Sequence, residues 1–143
     1  MYSRIVVGTD GTDRSLIAVD HAARLAAAFT AELHVVAAAS PSASPDRPIA
    51  AIPAMMAQLS DASAKSAARI GHDVCKRHGV HVVEHPRIGE PASVLMAVAD
   101  LIDADLIVVG NKVMAGHIRK FTGSVASRLA HQSSRAILIV HTG

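Results

Sequence analysis

The sequence predicts a single α/β domain: a mostly parallel sheet of five strands with helices on both faces. Three observations carry this expectation. Short apolar runs alternate with segments of helical period along the whole chain. Half of the residues are apolar, many of them alanine and valine, and only 2% are aromatic, which suits helices packed closely on a buried sheet. The 143 residues suffice for one domain with its own core, 1–143, and leave no room for a second catalytic one. Repeated strand–helix–strand units then impose right-handed crossovers.

Arg4-Ile5-Val6-Val7 reads as a short buried strand, broken by the turn residues Gly8-Thr9-Asp10-Gly11-Thr12. Thr12 caps a helix in which Leu16, Val19, Ala23 and Ala26 recur at spacings of three and four, with Arg14, Asp20 and Arg24 on other faces. Leu33 to Ala38 is a second strand. Over 39–53, Pro41, Pro45, Pro48 and Pro53 among serines and alanines predict a mobile loop or lid. Helical spacing resumes through Met56, Leu59, Ser63, Ala67, Ile70 and Val74 and stops at His78-Gly79, where glycine suits a left-handed cap. Val80 to Ile88 is a strand whose Pro86 argues for an end or edge position. Pro91, after Gly89-Glu90, opens a helix with Val94, Val98 and Leu101 facing inward. Asp105 to Gly110 is the strongest strand signal, followed by a helix from Ser124 to Gln132 and a fifth strand from Ala136 to His141.

Composition narrows the function classes. No apolar run approaches the ~20 residues of a membrane span, and Met1-Tyr2-Ser3-Arg4 leads straight into a strand instead of a signal peptide, so a cytoplasmic protein without a membrane partner is expected. A formal charge of +2 with mixed signs and few aromatics argues against nucleic acid. Cys75, the single cysteine, excludes an internal disulfide and is expected to be buried and inert. His78, His81 and His85 suggest a metal site, but His81 and His85 would lie ~13 Å apart on an extended strand, too far for one ion. They read as solvated or partner-facing.

In parallel sheets ligands gather at the carboxyl ends of the strands. Two loops follow strands there: Gly8 to Thr12, and Gly110-Asn111-Lys112-Val113-Met114-Ala115-Gly116 continuing to Gly123-Ser124. Glycines let backbone amides approach phosphate oxygens, Ser124 adds a hydroxyl and the positive end of a helix, and Lys112, Arg119 and Lys120 add charge. The same glycines serve equally well as chain turns and Ser124 as a plain cap, and the residues alone leave both readings open. Asp10 suits a ribose hydroxyl or a magnesium ion, or an Asx turn with nearby amides, and these roles coexist. Neither a Walker loop nor the dinucleotide fingerprint is present.

Taken together, Arg4-Ile5-Val6-Val7-Gly8-Thr9-Asp10-Gly11, Val108-Val109-Gly110-Asn111 with Gly123-Ser124-Val125, and Ile137-Leu138-Ile139-Val140 resemble the universal stress protein family over essentially the whole chain. The resemblance implies an adenine nucleotide alpha hydrolase-like, Rossmann-like fold and a homodimer formed through the C-terminal strand. It also implies a regulatory role in the stress response, with ATP, AMP or cyclic AMP bound and at most slow ATP hydrolysis. Nucleotide-binding members carry a loop G-x2-G-x9-G-[S/T], which Gly110, Gly123 and Ser124 match, while Val113 stands at the second glycine. By that correspondence Asp10 meets the ribose or a nucleotide-bound Mg2+, Gly8 and Thr9 beside it belong to the nucleotide-binding residues, and Ala38 and Val109 lie near adenine. Asn111, Lys112, Val113 and Gly116, with Ser124, Val125 and Ala126, surround the phosphates. A β-branched Val113 resists positive φ and adds bulk beside the phosphates, which disfavours ATP more than AMP or a cyclic nucleotide. The alternative is a homodimeric scaffold of the same fold without a nucleotide. An ATP-using hydrolase of this fold would need a Ser-Gly-Gly loop, which Gly8-Thr9-Asp10-Gly11 does not supply.

Overall fold

The computed structural model describes residues 1–40, 53–111 and 124–143. In chain order the elements are β1 (Arg4–Gly8), α1 (Asp13–Phe29), β2 (Glu32–Ala39), α2 (Pro53–Cys75) with a 3-10 turn at Lys76–His78, β3 (Val82–Ile88), α3 (Pro91–Ile102), β4 (Leu106–Gly110), α4 (Val125–Gln132) and β5 (Ala136–Val140).

Local chemistry sets the helix ends. The Thr12 hydroxyl accepts from the Ser15 amide at 3.3 Å and starts α1. The Glu90 carboxylate accepts from the amides of Ala92 and Ser93 at 3.1 and 3.0 Å, while Pro91, which has no amide to satisfy, takes the first position of α3. Gly79, at φ +67°, ends the 3-10 turn that extends α2.

Among the described residues the five strands run in the order β3-β2-β1-β4-β5, and every pairing is parallel. β1 lies at the centre, so both of its faces are covered and Ile5, Val6 and Val7 are fully buried. On one face Ile5, Val7, Leu33, Val35 and Val108 pack on Ala18, Ala22, Ala23 and Ala26 of α1 and Cys75 of α2. On the other, Val6, Val36, Ile107 and Val109 meet Ala92, Leu95, Val98 and Ala99 of α3 and Leu129 of α4. Asp105 precedes β4 and ties its start to that of β1, its Oδ2 accepting from the amides of Ser3 and Arg4 at 2.7 and 2.9 Å.

Several expectations shift in detail. The buried stripe of α2 runs through Ala64, Ala67, Ala68, Gly71 and Cys75, whereas Leu59 and Ile70 are exposed. Small residues win that face because α2 approaches the sheet closely: a Cβ on Gly71 would lie 2.8 Å from Cγ1 of Val35. Leu101, expected inward on α3, is 70% exposed, whereas Val98 is buried as expected and shares the inner face with Leu95 and Ala99. Pro86 lies on β3, which is an outer strand. Ala39 closes β2 and Pro53 opens α2, so the expected loop loses both ends, and residues 41–52 lie outside the described residues.

Cys75 is fully buried, and that burial pushes its thiol up to about 11. The histidines are less solvated than expected. His78 Nε2 lies 2.7 Å from Asp20 Oδ1. His85 Nε2 lies 2.8 Å from Nδ1 of the buried His34, whose Nε2 reaches Glu32 Oε1 at 2.7 Å. His81 alone of the three is largely open to water. No helix among the described residues is long and apolar enough to cross a membrane.

Candidate functional site

The chain order reverses direction between β1 and β4, and the connections leaving their carboxyl ends diverge there. A cavity of about 610 Å³ opens at this point, within the size range of small-molecule sites. Gly8, Thr9 and Asp10 at the exit of β1 form one wall with Thr12, Asp13, Arg14 and Ser15 of the turn into α1. Val36 and Ala38 of β2 and Pro91 and Leu95 of α3 form an apolar side. Val109, Gly110 and Asn111 at the exit of β4, Ser124, Val125 and Ala126 at the start of α4, and Thr142 complete the described lining.

The β1 turn is held by its own hydroxyls. The Thr9 amide donates to the Val36 carbonyl at 2.9 Å, which carries the β1–β2 ladder one residue into the turn. Thr9 Oγ1 accepts from the Gly11 amide at 3.0 Å and lies 2.7 Å from Ser15 Oγ. Asp10 Oδ1 accepts from both the amide and the hydroxyl of Thr12, at 3.0 and 2.6 Å, which is the Asx turn foreseen for this residue. Partial burial pushes the Asp10 carboxyl upward, but hydrogen bonds from Thr12 and Ser15 outweigh it and hold the group below its ordinary value. Asp10 is therefore a fixed anion at the cavity near neutral pH. Gly11 sits at φ +82°, and a Cβ there would stand 3.2 Å from Cα of Ala67, so backbone strain and α2 together select glycine.

The β4 exit is built differently. A Cβ on Gly110 would lie 2.9 Å from Cγ2 of Thr142, which gives this glycine a packing reason in the described structure. The Asn111 amide donates to the Val140 carbonyl at 2.9 Å. Asn111 Oδ1 accepts from the amide and hydroxyl of Thr142 at 2.8 and 3.3 Å, so the carbonyl of a side chain expected near phosphates is spent on the segment leaving β5. Ser124 Oγ accepts from the Ser127 amide at 3.1 Å and caps α4. Glu90 pairs with Arg128 and joins the beginnings of α3 and α4 beside the cavity. Burial raises the Glu90 carboxyl, but bonds from Ser93, Ala92 and Arg128 bring it below its ordinary value.

The structure thus brings Gly8, Thr9, Asp10, Ala38, Val109, Gly110, Asn111, Ser124, Val125 and Ala126 around one cavity. Lys112, Val113, Gly116 and Gly123, expected in the same loop, lie outside the described residues. Sequence reasoning missed the contributions of Asp13, Arg14 and Ser15, of Pro91 and Leu95, and of Val36 and Thr142. Val36 was within reach, since it lies two residues before Ala38 on the same face of β2. Thr142 carried no local signal, because its place depends on Asn111, 31 residues away in sequence.

A wholly parallel sheet of this order, with a cavity over the ends of β1 and β4 and a glycine at the exit of each, defines a doubly wound α/β domain of the Rossmann-like kind. The Universal stress protein family matches residues 1–141, and the chain belongs to that family. It is 37% identical over 150 residues to Universal stress protein Rv1636 of Mycobacterium tuberculosis (strain H37Rv), a match covering 99% of this chain and 97% of the relative. Among solved structures, a universal stress protein in complex with cAMP is similar at TM-score 0.78 and 35% identity, over 99% of this chain and 98% of that one. The universal stress protein from Archaeoglobus fulgidus in complex with dAMP shares the fold at TM-score 0.67 and 22% identity, over 97% and 98% of the two chains.

Proposed function

We propose that this protein binds an adenine nucleotide in the cavity between the ends of β1 and β4 and acts in a regulatory role with little or no catalysis. The observation that carries the reading is the two-sided lining. Val36, Ala38, Leu95 and Val109 suit a flat apolar base, while hydroxyls, the carboxylates of Asp10 and Asp13, and the start of α4 supply the polar side. The 35% identical structure in complex with cAMP supports the same reading. Adenine lies against Ala38 and Val109, Asp10 meets the ribose, and Ser124, Val125 and Ala126 receive phosphate at the positive end of α4. Lys112, Val113, Gly116 and Gly123 belong to the same phosphate loop by sequence. With Val113 in place of glycine, AMP or cyclic AMP binds in preference to ATP.

Magnesium enters with the nucleotide. Asp10 presents one carboxylate, no group of three or more metal-binding side chains exists among the described residues, and Mg2+ commonly relies on substrate phosphates for its remaining ligands. The protein is a single-domain cytoplasmic homodimer paired through β5, an outer strand whose Ile139 is 44% exposed.

Calorimetric titration with cyclic AMP, AMP and ATP, with and without Mg2+, tests the binding. AMP or cyclic AMP should bind more tightly than ATP. Absence of heat with every adenine nucleotide would transfer the argument to a scaffold of the same fold, the reading that Val113 favours. Sedimentation of the wild type and Ile139→Lys tests the dimer, with a monomeric wild type as the contrary outcome.

A further inference from the structure

Arg14 lines the cavity from the first turn of α1. It is the one cationic side chain in that lining among the described residues. It makes no hydrogen bond or ion pair with any described residue. Asp10 is engaged by Thr12, and Asp13, although adjacent, does not pair with it. Arg128 and Arg135, by contrast, each tie two elements together through carboxylates. Arg14 also runs against its own helix. The first turn of a helix favours negative charge, as at Asp13, and a cation there is locally unfavourable. An exposed arginine that pairs with none of the described residues and breaks a local rule at the edge of a cavity is the kind of exception expected of a ligand-facing residue.

We infer that Arg14 is a specificity residue that distinguishes nucleotide from nucleoside by docking its guanidinium on the phosphoryl oxygens of the bound ligand. The planar fork of donors matches a phosphate bidentately, and its exposure lets the charge stay hydrated until a ligand arrives. The inference rests on the reading that an adenine nucleotide occupies the cavity. Its own content is that discrimination for phosphate comes in part from α1 and not from the start of α4 alone.

The test compares the wild type with Arg14→Gln and Arg14→Lys, titrated with adenosine, AMP and cyclic AMP at low and physiological salt. In Arg14→Gln, AMP should bind roughly five- to tenfold more weakly, at the low end for a charge-assisted bond because the side chain is exposed. Adenosine should change by less than about twofold, and the AMP effect should shrink as salt rises. Arg14→Lys should fall between the two, keeping the charge and losing the fork. The thermal midpoint of Arg14→Gln should be unchanged or slightly raised, since a cation leaves the first turn of α1.

Equal loss for adenosine and AMP, or no loss for AMP, overturns the role of Arg14 while the nucleotide reading stands. If the wild type binds none of the three ligands, the reading fails and this inference fails with it.

Discussion

Replacing Gly110 by alanine asks whether this glycine serves the packing of the chain or the approach of a ligand. The new Cβ would stand 2.9 Å from Cγ2 and 3.7 Å from Oγ1 of Thr142. Thr142 cannot swing aside freely, because it is 5% exposed and its amide and hydroxyl both donate to Asn111 Oδ1. Overpacking of this sort costs about 1–3 kcal/mol, and the smaller conformational freedom of unfolded alanine returns about 0.4–1 kcal/mol. The net expectation is a loss of about 1–2 kcal/mol, or roughly 2–8 °C in the thermal midpoint of a domain this size. Thr142→Ser keeps the hydroxyl and removes the offending methyl, so alone it should cost about 1 kcal/mol or less. Combined with Gly110→Ala it should recover most of the loss, giving a coupling of about 1 kcal/mol. Urea denaturation of the four proteins, followed by circular dichroism, measures the cycle. Strict additivity, or a Gly110→Ala variant within about 0.5 kcal/mol of the wild type, would refute the packing argument and return Gly110 to the ligand.

Further outcomes follow from groups at the edges of the sheet. The amides of Arg4 and Ser3 hold the Asp105 carboxyl below its ordinary value of 3.8. Because the folded value is the lower one, its stabilisation is present above the unfolded pKa and disappears as pH falls through the folded value. Asp105→Ala should therefore lower the thermal midpoint at pH 7 and flatten its decline below about pH 4, and an acid slope identical to the wild type would contradict this. Arg135→Ala should cost about 1 kcal/mol in urea denaturation, chiefly through the 2.6 Å bond to the Ala104 carbonyl, since Asp100 and Asp103 are exposed. Arg135→Lys should recover less than half, and full recovery would assign the effect to charge alone. Cys75, buried and with its thiol raised to about 11, should resist Ellman's reagent at pH 8 in the native protein and react only as the chain unfolds. Rapid labelling of the folded protein would show that α2 opens.

What the sequence made legible was local. Thr12, Gly79 and Pro91 announced helix ends because caps and first turns depend on a few neighbouring residues. The strand runs stood out because a sheet covered on both faces needs continuous apolar residues. The β1 turn and the exit of β4 were foreseen at one crevice because parallel strands place their carboxyl ends together. The unread parts are contacts across the chain. His85 looked solvated until β3 paired with β2 and set it against His34. Asn111 looked free for a ligand until Thr142 engaged its carbonyl. Apolar spacing in α2 pointed to Leu59 and Ile70, yet the distance between α2 and the sheet favoured the smaller Ala64, Ala68 and Gly71, a choice that no periodicity encodes.

The strand order β3-β2-β1-β4-β5 also has a meaning in time. During synthesis β1, α1, β2, α2 and β3 emerge first and can assemble as a three-stranded sheet with β1 as its outer strand. The neighbour that finally covers that edge, β4, begins about 18 residues after β3 ends, roughly 1–4 s later at ordinary translation rates. For that interval Ile5, Val6 and Val7, fully buried in the finished protein, present an open row of unpaired backbone groups between apolar side chains. The nascent chain that has reached β3 but not β4 is thus the stage most in need of a chaperone. The two walls of the cavity meet only once β4 arrives, so a ligand there would stabilise completed molecules and none of the unfinished ones.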